Sequence, residues 1–470
     1  MPQAHRQTGG IAKGDLAVVS SDHRTSALET PERSLLLRAA ILVPLWASVV
    51  IGVVILIAAL PGRARKWDYS VYYSSALAMR EGMNPYTDDL TPVAHSLGFE
   101  LDKINHATDP PTFVMCFVPL TLLPTRSGFY VWTAINALAF LISLVLLFRW
   151  TPGLSRDGAL AVAALIILFP PVTDHLVWGQ NKMLVLLMFV LMLRWMERGK
   201  DAPAGLILAF ASLLRVFPLL FVGYLILMKR WRVLAYTMVG LVVGGLATVA
   251  LVGIGRSLSF LLASGYLTQQ WAQALPGNIA LPTTVSRMFW YFFGVHLGTT
   301  LDWTRRAASW AAELALLGLT VKATVARASR DDPDGRLFSL WIMTAILVSP
   351  TSWFYYLVLL TIPMVRLSAA AANNRTSRRA LWAGVACYTL AWLYFTMVDM
   401  HSQQLALHPD TLVWRVGASP VALFAYLSVY WFAVDAAAAG QLPAQSAVSE
   451  SAPSQSADSV DEAHQARTAV

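Results

Sequence analysis

The sequence predicts an all-α polytopic membrane protein, and three observations carry that prediction. Of its 470 residues, 56% are hydrophobic and only 13% are charged, where a soluble domain carries about 25%. The mean hydropathy is +0.55. The apolar residues also gather into runs of roughly 18 or more, which need lipid around them.

The elements follow in order. Residues 1–35 are polar and read as a disordered cytoplasmic arm. The run Ala39 to Leu60 carries no charge. It is too long for a signal-peptide core and reads as a retained anchor. Spans are expected at 37–60, 127–149, 158–174, 182–197, 204–228, 233–253, 306–325, 337–350, 353–367, 380–398 and 413–436. The stretch 111–124 is short and bounded by Pro110, Pro111, Pro119 and Pro124, so a dip and a short span are both open. Residues 36–437 form one membrane domain, and 438–470 read as a disordered cytoplasmic tail.

Orientation follows from the basic clusters, which belong on the cytoplasmic side. They lie at Arg149 and Arg156, at Arg194, Arg198 and Lys200, at Lys229, Arg230 and Arg232, at Arg327, Arg330 and Arg336, and at Arg375, Arg378 and Arg379. Arg63, Arg65 and Lys66 are the misfits. Two clusters flank 204–228, so that stretch goes in and returns, broken near Arg215-Val-Phe-Pro218. The loops 61–126, 172–181 and 254–305 then share the opposite face. The charge of +8 is explained by these clusters, and nucleic acid is not an expected partner. Gly240-x-x-x-Gly244 permits close helix packing.

Chemistry is expected in the first non-cytoplasmic loop, 61–126, which holds short surface helices. Asp68 precedes a helix-prone stretch and serves either as an N-cap or as a general base. Trp67, Tyr72 and Tyr73 beside it suit a sugar or acceptor groove. The polar run Asp174-His175 to Gln180-Asn181-Lys182 suits hydroxyls or phosphate. Arg215 is costly in an apolar stretch unless it is paired or lines a cavity, and its guanidinium suits phosphate. Asn278 and Arg287 begin a further helix. The two cysteines, Cys116 and Cys387, lie in separate apolar segments, so no disulfide is expected. There is no His-Glu-x-x-His and no Cys/His cluster, so no metal site is expected. Asp332-Pro-Asp334 reads as a solvated charged loop. Without a Gly-rich Lys-Ser/Thr loop, nothing suggests ATP or another cofactor.

These stations, in order, resemble glycosyltransferase family 87, the DUF2029 group of the GT-C superfamily. Asp68-Tyr-Ser-Val-Tyr72 and Gly82-Met-Asn-Pro85-Tyr86 match its first loop. Pro110-Pro111-Thr112, Pro119 to Pro124, Gly179-Gln180-Asn181, Arg215-Val-Phe-Pro218, Gly277-Asn278 and Ser349-Pro350-Thr-Ser352-Trp353 follow. The resemblance covers residues 37–437 and implies a GT-C-type bundle of about 11–13 transmembrane helices. The chain departs from the family at Asp109, where a tyrosine is common. It departs again at Ile279 and Ala280, and at Phe354, Tyr355 and Tyr356, where histidines are common.

The resemblance implies a membrane glycosyltransferase. It would move a hexose, mannose first, from a polyprenyl-phosphate donor to an envelope glycolipid or polysaccharide with inversion. The donor would be a co-substrate; metal dependence and oligomeric state stay open. Asp68 would be the base, and Arg215, then Arg287 and Lys182, would hold the lipid phosphate. Trp67, Tyr72, Tyr73, Gln180, Asn181, Asn278, Trp353 and Tyr356 would line the sugar and acceptor site. The implied place is the plasma membrane, with the site on its non-cytoplasmic face. A transporter or flippase of lipid-linked sugars is the competing reading.

Overall fold

Long apolar runs become long helices because the backbone must satisfy its own polar groups in lipid. In the computed structural model the described residues are 31–63, 68–99, 104–262, 278–293, 302–326, 332 and 335–373. The expected spans 380–398 and 413–436, the tail, residues 1–30 and Trp67 lie outside them. No strand forms among the described residues, only one bridge between Asn278 and Trp353. The chain is an all-α polytopic membrane protein.

Four described helices are long and apolar enough to cross a membrane. They are α1 (Pro31–Arg63), α5 (Thr125–Trp150), α11 (Trp231–Val252) and α13 (Asp302–Ala326). α1 begins inside the stretch expected as an arm. Val50, Val54, Ile55 and Ile57 on α1 and Val242, Val243 and Leu246 on α11 are exposed, as a lipid-facing belt requires. The expected span 158–174 is instead two helices, α6 (Arg156–Ile167) and α7 (Pro170–Trp178), bent by 47°. Pro170 and Pro171 cause the bend, because proline cannot continue the preceding turn.

The remaining helices are shorter. α2 (Asp68–Arg80), α3 (Thr91–Ser96) and α4 (Pro111–Phe117) form the first loop, and a 3-10 turn, Val118–Leu122, continues α4. The stretch 111–124 is thus a short helix and a 3-10 turn. α8 (Lys182–Glu197) follows α7. α9 (Asp201–Leu214) ends at an extended Arg215, and a 3-10 turn, Phe217–Leu220, leads into α10 (Phe221–Leu227). This is the expected break before Pro218. α12 (Leu281–Phe293), α14 (Arg336–Val348), the 3-10 turn Phe354–Leu360 and α15 (Thr361–Asn373) follow, and residues 254–262 are also helical.

α9 and α11 pack backbone to backbone. A Cβ at Gly240 would come 2.7 Å from the Ala209 Cβ, and one at Gly244 would strike Leu213. The expected role of the glycine pair is met.

Among the described residues, the Arg194–Arg198 cluster packs against the end of α5 that carries Arg149. Arg38 on α1 pairs with Asp157 at 3.3 Å. Arg194 and Arg198 lie over the Trp150 ring, and Glu197 pairs with Arg194 and Arg366. Asp332 differs from expectation. It is buried and accepts the backbone N–H groups of Arg336, Leu337 and Phe338, so it caps α14.

Candidate active site

Three local structures meet at the end of α8 that carries Lys182. The first is α2. Tyr69, Tyr72, Tyr73 and Ala76 recur at i, i+3, i+4 and i+7 and are buried together. Tyr69 packs edge-on against Phe129 and Phe117, with ring centres 5.1 and 6.0 Å away. The Tyr69 hydroxyl donates to the Thr125 carbonyl at 2.8 Å, and that of Tyr73 to Leu123 at 2.7 Å. These contacts hold the first turn of α2, where Asp68 stands half-buried.

The second is the Gly179-Gln180-Asn181 turn between α7 and α8. Gly179 ends α7 in the left-handed region at φ 68°, a conformation that costs any residue with a Cβ. Space demands glycine as well, since a Cβ there would lie 2.8 Å from that of Tyr69. The Trp132 indole N–H binds the Gly179 carbonyl at 2.6 Å. His175, buried in α7, accepts the Met183 backbone N–H at 3.1 Å and so supports the start of α8. The third structure is the extended Arg215 at the helix break.

Between them runs a buried polar network. Gln180 Nε2 donates to Asp68 Oδ2, and Lys182 Nζ donates to Gln180 Oε1. The Tyr72 hydroxyl donates to the same Gln180 oxygen at 2.8 Å. Arg215 donates from Nη2 to the Tyr72 hydroxyl at 2.6 Å and from Nε to Asn181 Oδ1 at 2.9 Å. Its Nη1 pairs with Asp109, and the Asp109 carbonyl accepts from the Tyr86 hydroxyl. Lys182 Nζ lies 4.9 Å from the Tyr355 ring centre and 4.5 Å from that of Tyr356, a cation–π arrangement. Tyr355 also hydrogen-bonds to Asp68.

Burial pushes the Asp68 carboxyl above the ordinary aspartate range, against the pull of Lys182, the Gln180 hydrogen bond and Arg215. Burial raises Asp109 in the same way, opposed by Arg215. The arrangement offers a half-open carboxylate beside two buried cations, which can accept a proton while a neighbouring negative charge is stabilised.

The network unites seven expected residues, Asp68, Tyr72, Gln180, Asn181, Lys182, Arg215 and Tyr356. Tyr73 instead points into the aromatic core. Asn278 is fully buried. Its side-chain oxygen accepts from the backbone of Ala280 at 3.0 Å and of Ser352 at 3.1 Å. It thereby ties the Ser349-to-Trp353 turn to the start of α12, and Trp353 pairs with it through backbone. Arg287 lies on α12, and its side chain is outside the described residues, as is all of Trp67. Asp109 and Tyr355 were visible in the sequence only as departures from a family pattern. The usable signal was the buried arginine, which demands a carboxylate, and Asp109 stands beside a proline pair in the same loop.

The sequence profile of glycosyltransferase family 87 matches residues 107–350. The chain belongs to glycosyltransferase family 87. This family-87 protein is therefore a membrane glycosyltransferase, and the transporter reading gives way. It is 26% identical over 367 residues to the polyprenol-phosphate-mannose-dependent alpha-(1-2)-phosphatidylinositol mannoside mannosyltransferase of Mycolicibacterium smegmatis, covering 72% of this chain and 78% of the relative. It is 27% identical over 212 residues to an alpha-(1->3)-arabinofuranosyltransferase of Mycobacterium tuberculosis, covering 42% of this chain and 45% of that relative.

Proposed function

We propose that this protein transfers a hexose, mannose first, from a polyprenyl-phosphate donor to a hydroxyl of a cell-envelope glycolipid or polysaccharide, with Asp68 as general base. The observation that carries the reading is the half-buried Asp68 carboxylate, joined through one side chain, Gln180, to the buried ammonium of Lys182. Glycosyl transfer from a lipid phosphate needs a proton acceptor and a cation in this relation. The acceptor oxygen attacks the anomeric carbon, and its proton passes to Asp68. The bond from that carbon to the phosphate oxygen breaks, and its electrons leave with the lipid phosphate. A single displacement of this kind inverts the anomeric centre.

Lys182 is the better cation for the departing phosphate. Its ammonium is held by one amide oxygen and two ring faces, whereas Asp109, Asn181 and Tyr72 engage Arg215. Lys182 thus takes the place that the sequence reading gave to Arg215. Tyr355 and Tyr356 flank the site where the family often carries histidine. Mannose follows the donor in the mycolicibacterial relative's name, and arabinofuranosyl transfer, favoured by the second relative, is the alternative sugar. The positive-inside tendency supports reading the Arg194–Arg198 end as cytoplasmic, with Asp68 on the non-cytoplasmic face of the plasma membrane.

The test incubates purified protein with radiolabelled polyprenyl-phosphate mannose, in parallel with the arabinofuranosyl donor, and with envelope glycolipids. Runs with and without a chelator measure any share borne by a divalent cation. Transfer from the mannosyl donor that Asp68→Asn abolishes is the expected result. Transfer from the arabinofuranosyl donor alone overturns the sugar, and wild-type transfer by Asp68→Asn overturns the base.

A further inference from the structure

We propose that Asp109, Arg215 and Tyr72 form a one-directional hydrogen-bond relay that aims the Gln180 amide N–H at Asp68, which makes them positioning residues for the base. The inference rests on Asp68 being that base. The direction of the relay follows from what each group can do. A guanidinium has no acceptor, so the Tyr72 oxygen must accept from Arg215 and its proton must go onward. It goes to Gln180 Oε1, 2.8 Å away. Lys182, also a pure donor, points at the same oxygen. Two donors on Oε1 leave the Gln180 carboxamide one orientation, with Nε2 toward Asp68. No proton position along the relay is free to choose, although such amides are otherwise ambiguous.

The origin of the relay is itself fixed. Asp109 takes Nη1 of Arg215, Asn181 takes Nε and Tyr72 takes Nη2. Arg215 and Asp109 are both buried, and Tyr86 braces the Asp109 backbone at 2.9 Å. The positive charge of Arg215 is thus passed, as polarised hydrogen bonds, to the carboxylate that must stay ionised and correctly turned. The groups facing Asp68 are Lys182 on α8, Arg215 at the α9–α10 break, Tyr355 and Tyr356 on the 3-10 turn, and Tyr72 on its own helix.

The decisive variant is Tyr72→Phe, which changes no charge and little volume. The expected result is a fall in kcat of about ten- to a hundredfold, with donor and acceptor KM little changed. The acid limb of the kcat–pH profile should also move to higher pH, because Gln180, no longer polarised by Tyr72, donates more weakly to Asp68 and a less supported carboxylate is easier to protonate. Asp109→Asn alone leaves the Arg215 charge buried without its partner and is expected to fold poorly. The double variant Asp109→Asn/Arg215→Met removes both charges and should fold, with the same lowered kcat and displaced limb. Wild-type kcat and limb in Tyr72→Phe overturn the relay. So does a fall that is equal at every pH, which marks a packing role. If Asp68→Asn is inactive in the same assay, the base assignment survives that failure; if Asp68→Asn is active, the base assignment itself is wrong.

Discussion

Two buried arginines, Arg215 and Arg305, are both paired with aspartate, yet they are paired differently. Arg305 binds Asp302 on its own helix turn at 2.7 Å, Arg306 joins the same carboxylate, and Ser286 of α12 accepts at 2.6 Å. Arg215 reaches Tyr72, 143 residues away, together with Asn181 and Asp109. The Arg305 pair forms as soon as α13 forms. The Arg215 pairs exist only when the first loop, the α7–α8 turn and the α9–α10 break have assembled. Burying a charge is costly unless its partners are already in place. Local pairing secures an element, whereas pairing across the chain holds together a site that no single element contains.

The largest effect should fall at the end of Arg215's network. Asp68→Asn is expected to fold normally and lose roughly 10²- to 10⁴-fold in transfer rate, as removal of a general base does; thermal unfolding with the radiolabel assay checks both halves. Next is Lys182→Met, where kcat should drop by about 10²- to 10³-fold, the scale of losing one charge-stabilising donor. The two arginines can then be set against each other. One ammonium cannot bridge Asp109, Asn181 and Tyr72 together, so Arg215→Lys should cut kcat by about tenfold or more. Arg305→Lys keeps the pair within one turn and should leave kcat near wild type. Equal damage from the two lysine variants would break the comparison.

A subtler effect concerns pH. Burial raises the Asp68 carboxyl, so the base is protonated earlier as pH falls. The acid limb of kcat should lie above the pH at which a solvated aspartate titrates, and a limb at the solvated position would contradict the described environment. The smallest effect on chemistry belongs to Asn278→Ala. It removes an oxygen that accepts two backbone N–H groups, at a cost of about 1–3 kcal/mol in stability, with kcat per folded molecule kept. A selective loss of kcat would return Asn278 to the substrate groove.

Much of the fold was legible. Thr125–Trp150, Lys182–Glu197 and Trp231–Val252 lie within two residues of the runs read from the sequence, because lipid demands contiguous apolar residues. The α6–α7 bend was missed because apolar content does not register a proline hinge inside a run. Asp332 was misread because a capping carboxylate and a solvated one have the same neighbours in sequence.

The sequence by itself determined the solvent of this protein, the break at Arg215 and the carboxylate to examine first. Each of these depends on local composition, which acts over one helix or one turn. Only the tertiary structure decided which charges meet. It brought Asp109 to Arg215, set Tyr355 beside Asp68 and turned Tyr73 away into the aromatic core. Hydrogen bonds between side chains 112 residues apart, as between Gln180 and Asp68, depend on angles and distances of an ångström or less. No sequence pattern encodes those until the helices have packed.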